Sequence, residues 1–109
     1  MVETAKTAKA PEMSKRARWE KIKRELLKLP KKVPEIKAIA IDTRNEGILI
    51  VTDPISHNLH MDLYDIGRSF RYKFGFPFEK FEIENLAQVI PGYPWQRLIL
   101  PGHKIIYQR

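Results

Sequence analysis

Six titratable side chains, Asp42, Asp53, His57, His60, Asp62 and Asp65, form the densest set in the chain that could make or break bonds. A metal-dependent nuclease needs two or three carboxylates around Mg²⁺, often at the ends of neighbouring strands. Asp42 and Asp53 both fall at the ends of strand-like stretches. His57 and His60, three residues apart on a helical stretch, could join Asp53 or Asp65 at a metal, but no HExxH or comparable signature accompanies them. Structural roles account for both aspartates without chemistry: Asp42 opens a turn, and Asp53 before Pro54 reads as a helix cap. The chain has no cysteine, which removes disulfides, thiolate zinc sites and a cysteine nucleophile together. It also lacks a Walker-type GxxxxGK loop, a GxGxxG turn and a GxSxG elbow. The pattern leans away from an enzyme, with no catalytic residue, metal ligand or cofactor assigned. A small metal-dependent nuclease at Asp42 and Asp53 stays as the least supported reading.

The cations carry a different chemistry. The formal net charge is +7, and residues 1–32 hold eleven Lys/Arg against four Glu, while residues 33–109 hold nine of each sign. The excess charge therefore sits on one leading segment, which will seek a polyanion. Lys15, Arg16, Arg18, Lys21, Lys23, Arg24 and Lys28 are the residues expected to contact successive phosphates and release counterions. Arg68, Arg71 and Lys73 form a second cationic group beside Tyr72, Phe74 and Phe76, a mixture that can hold phosphates and stack bases. The competing account is that cations at a helix C-terminus complement its dipole while Phe70 and Phe74 are core. Neither an aromatic RNP motif nor a GxxG loop is present.

These residues must be positioned by a small set of elements. Residues 1–13 cannot bury enough apolar surface to offset the entropy of ordering and are expected to be a disordered basic tail. Residues 14–32 read as a basic amphipathic helix capped by Ser14, with Trp19, Ile22, Leu26 and Leu29 on one face and Pro30 as its stop. Residues 33–109 read as an α+β globular domain. In it, Ile36 to Ile41 and Ile48 to Val51 are strands joined by an Asn45/Gly47 hairpin turn, the second being apolar on both faces as a central strand is. A second helix is expected from the Asp53-Pro54 cap to Gly75, with Gly67 inside it at a cost of about 1 kcal/mol relative to alanine. Strands follow at Lys80 to Ile90, Trp95 to Leu100 and Lys104 to Tyr107.

The expected fold is thus α+β, two-layered, with a largely antiparallel sheet, the order α-β-β-α-β-β-β and a basic N-terminal arm. The expected function is a nucleic-acid-binding accessory protein of low sequence specificity, acting on DNA or RNA. The alternative is a protein–protein interaction or assembly subunit of a larger complex, a ribonucleoprotein or viral one among them, whose partner is another protein or a second copy of the chain. Without an apolar stretch of roughly 20 residues no membrane partner is expected, and an intracellular, cytoplasmic location is anticipated from the absence of a secretory leader.

Overall fold

The computed structural model describes residues 14–109, so the expected basic tail at 1–13 lies outside the described residues. The element order is α1 (Lys15–Lys32), β1 (Ile36–Asp42), β2 (Gly47–Thr52), α2 (His57–Phe74), β3 (Phe81–Asn85) and β4 (Lys104–Gln108), with three 3-10 turns in the second half. The four strands form one mixed sheet in the order β3-β2-β1-β4.

Helix α1 begins where its cap predicts: the Ala17 N–H donates to the Ser14 hydroxyl at 3.1 Å. It does not stop at Pro30. Proline removes one N–H from the last turn, but Val33 donates to the Leu29 carbonyl at 2.8 Å and the helix runs on to Lys32. Trp19, Ile22, Leu26 and Leu29 are buried against the sheet.

The β1/β2 hairpin forms in the expected place, with Asp42 opposite Gly47 across the turn and Ile39 opposite Ile50. β4 adds antiparallel to β1, whereas β3 lies parallel to β2. The sheet is therefore mixed: two of its three strand pairs are antiparallel, as expected, and the β2/β3 pair is parallel. The reason is α2, which carries the chain back between β2 and β3 and so supplies the crossover that a parallel pair requires.

Helix α2 starts later than the Asp53-Pro54 pair suggests. Its cap is Ser56, whose hydroxyl accepts from the Leu59 N–H at 3.2 Å. Asp53 instead pairs with Arg109 and with Lys37 at 3.9 Å. The helix ends at Gly75, which takes a left-handed φ of 65° while Phe76 donates back to the Phe70 carbonyl at 3.3 Å. This 6→1 closure favours glycine at the left-handed turn position and brings Phe76 into the core.

Two expected strands change character. Lys80 to Ile90 is strand only over Phe81–Asn85, because the Asn85 side chain accepts from the Ala87 N–H at 3.0 Å and turns the chain into a 3-10 segment. Trp95–Leu98 is a 3-10 turn, not a strand, so the order has four strands rather than five. Pro94 and Pro101 bracket that segment, which limits the ladder hydrogen bonds it could make.

Both faces of the central strands are covered. On one, Ile36, Ile39, Ile41, Ile48, Ile50, Phe81 and Ile83 pack under the two helices. On the other, Ala38, Ala40, Leu49 and Val51 pack under Trp95, with Leu86, Leu98 and Ile99 beside it. Small alanines in β1 leave room for the indole. The helix layer is locked by edge-on aromatic contacts, Phe70 to Phe81 at 5.7 Å and Trp19 to Phe76 at 5.7 Å.

Candidate functional site

With its apolar face buried, α1 turns its cations outward. Lys21, Arg24 and Lys28 recur at spacings of three and four and are exposed along one side. They line a groove of about 230 Å³ that continues onto Phe74 at the end of α2. Glu25 lies in the same groove and pairs with Lys28 at 3.2 Å and Lys73 at 3.8 Å, so the two helices meet there through charge. The hydrogen bond from Lys28 holds the Glu25 carboxyl below its usual range, with Lys73 and Lys32 adding to the effect. Among the described residues Lys21 and Arg24 have no carboxylate within salt-bridge distance.

On the opposite flank of α1, Lys15, Arg16, Trp19, Glu20 and Lys23 border a cavity of about 400 Å³ with Thr43. Lys23 is paired with Glu20 at 3.2 Å.

Arg18 does something the sequence did not suggest. Its guanidinium donates to the Phe74 carbonyl at 3.2 Å and pairs with Glu46, and the Trp19 indole N–H donates to the same carboxylate at 3.1 Å. This clasp ties α1 to the β1/β2 turn and to the end of α2. Glu46 pays for it locally by adopting a left-handed φ of 59°, a conformation that disfavours a residue with a Cβ by about 1–2 kcal/mol. The only signal in the sequence was a glutamate placed between two natural turn residues, Asn45 and Gly47.

The second cationic group is split. Arg68 pairs with Asp65 and lies over the Phe78 ring at 5.2 Å. Arg71 and Tyr72 are exposed at the last turn of α2, and Lys73 joins the α1 groove through Glu25. Phe70 and Phe74 are core, as the competing account held.

The aspartate and histidine set is not brought to one point. Asp42 sits at the turn end of the hairpin, while Asp53 follows the far end of β2, where its N–H donates to Glu35. Six residues of strand at about 3.3 Å each separate the two by roughly 20 Å, too far to share an ion. His60 is stacked on Tyr64 at 5.1 Å, and His57 is exposed at the first position of α2. No group of three His, Asp or Glu side chains among the described residues could hold a metal ion.

Asp42 is engaged structurally. Its Oδ1 accepts from the Arg44 and Asn45 N–H groups at 3.1 Å and its Oδ2 from the Asn45 amide at 3.0 Å. These bonds, the Asn45 backbone N–H first, hold its pKa below the ordinary aspartate value, with His103 contributing last. The folded carboxylate thus binds its proton less tightly than the unfolded one, so its contribution is present above the unfolded pKa of about 3.9 and is lost as pH falls through the folded value. Asp42→Asn is expected to flatten the acid limb of a pH-dependent chemical denaturation curve, the gap to wild type narrowing below about pH 4.

No family model, no curated protein and no solved structure matches this chain. No helix among the described residues is long and apolar enough to cross a membrane.

Proposed function

We propose that this chain is a nucleic-acid-binding accessory protein of low sequence specificity, working inside the cell, in which exposed cations of α1 contact successive phosphates. The observation that carries the reading is the placement of Lys21, Arg24 and Lys28 around one groove on a helix whose opposite face is anchored in the core. Charges fixed on a packed helix need little further ordering when a polyanion docks. Lys15 and Arg16 add positive charge on the other flank near the start of the helix, and Lys73 and Arg71 carry the cationic surface onto α2. Lys and Arg contacts to phosphate set register but carry no base information, hence the low specificity. Arg18, held by Glu46, acts as a structural clasp in this reading.

The test is fluorescence-anisotropy binding of labelled duplex and single-stranded oligonucleotides over a range of salt. With four or more phosphate contacts on duplex DNA the log–log slope is expected at about −3.6 or steeper. Absence of binding at about 50 mM salt, where nonspecific contacts are strong, overturns the proposal.

One observation favours assembly as a second reading. Ile90 is 77% exposed and Leu100 54%, both in the segment that covers the second sheet face. A protein partner or a second copy could bury them, and light scattering that finds only monomer at high concentration would remove the homodimer.

A further inference from the structure

We infer that the groove between α1 and the end of α2 takes single-stranded nucleic acid in preference to duplex, with Tyr72 stacking on an unpaired base. This deepens the reading above and presupposes its phosphate contacts. Tyr72 is 80% exposed, while Phe70 and Phe74, two residues to either side, are 1% and 9% exposed. Two residues correspond to about 200° around a helix of 3.6 residues per turn, so the ring points away from the core that its neighbours fill. It makes none of the aromatic pairs that hold Phe70, Phe74 and Phe76. Its sequence neighbour Lys73 reaches within 3.8 Å of Glu25 in the groove, and Tyr72, which does not itself line the groove, stands on the exposed face of that same last turn of α2.

The cations and the ring divide the work. Lys21 to Lys28 span about 10 Å of helix axis at about 1.5 Å per residue, room for two or three phosphates of one strand at about 3.4 Å of rise each or more. A flat, solvated tyrosine flanked by Arg71 and Lys73 offers a π-face that every base can stack on without sequence preference. Paired bases in a duplex are already stacked and present only their edges to a protein, so the ring gains nothing there. The single strand is the form that uses both features.

The experiment compares full-length protein, Tyr72→Ala and Tyr72→Phe for binding labelled oligo-dT and oligo-U against a duplex of equal length at one salt concentration. Wild type is expected to prefer the single strands. Tyr72→Ala should weaken single-strand binding by about 10- to 100-fold, the range of one lost stacked base, while changing duplex binding less than about twofold. Tyr72→Phe, which keeps the π-face, should retain wild-type affinity. Circular dichroism and thermal melts should superimpose, because the side chain is outside the core. Equal or tighter binding to duplex, or an unchanged Tyr72→Ala on single strands, overturns this inference while leaving the nucleic-acid reading in place. No binding to any form overturns both.

Discussion

Replacing Lys21, Arg24 and Lys28 together by alanine is expected to weaken nucleic-acid binding by about 10²- to 10³-fold near 0.1 M salt. Three lost phosphate contacts on duplex DNA lower the log–log salt slope by about 2.7, and at that salt concentration the same number is the loss in log affinity. The loss should shrink as salt rises, since the missing term is counterion release. All three side chains are exposed and none touches the core that Trp19, Ile22 and Leu26 form on the other face of the helix. The variant should therefore melt close to wild type, the lost Lys28 to Glu25 pair being worth only a few tenths of a kcal/mol. A folded triple variant with unchanged affinity would take α1 out of the interface and leave Arg71, Lys73 and the leading residues as its source.

Gly67→Ala is expected to destabilise the fold by about 1–3 kcal/mol through overpacking, the reverse of what helix propensity alone says. Propensity predicts a gain of about 1 kcal/mol for this change inside a helix. A Cβ at Gly67, however, would lie 2.5 Å from Phe81 Cδ1 and 2.7 Å from its Cγ. The Phe81 ring cannot swing aside, because it is 2% exposed and meets Phe70 edge-on. The glycine lets α2 settle directly on Phe81 at the start of β3. Urea denaturation at neutral pH measures the difference. A stabilised Gly67→Ala would mean that α2 does not rest on β3 in this way.

Gly67 also shows where sequence reasoning reaches its limit. As a helix residue it is only a defect, and its purpose becomes visible once the strand that follows the helix is known to lie beneath it. What was legible came from periodicity. Trp19, Ile22, Leu26 and Leu29 mark the buried face of α1 because a stripe of period 3.6 has one meaning, and the strands around Asn45 and Gly47 mark the hairpin for the same kind of reason. What was not legible depended on partners far along the chain. β3 could not be read as parallel without knowing that it returns beside β2. Trp95 looked like a strand residue because its pocket over Ala38 and Ala40 belongs to distant β1. Ser56 rather than Asp53 is the cap, and Asp53 meets Arg109 and Lys37, both distant in sequence.

The candidate site divides in the same way. The concentration of cations in α1 was visible as composition, but the meeting of Lys21, Arg24 and Lys28 with Phe74 is a consequence of how two helices pack. The clasp joining Arg18 and Trp19 to Glu46 spans 28 and 27 residues and left no local signature. The separation of Asp42 from Asp53, by contrast, was within reach, since the hairpin already places them at opposite ends.

Amide chemical shifts of the labelled protein, titrated with a short single-stranded oligonucleotide, test the location of the site most directly. Perturbations are expected along residues 21–32 of α1 and at 71–75 where α2 ends, with the hairpin turn around Asp42 and the segment around Ile90 and Leu100 unmoved. Shifts confined to that second face, or no shifts in α1 and α2 at a concentration where anisotropy reports binding, would contradict it.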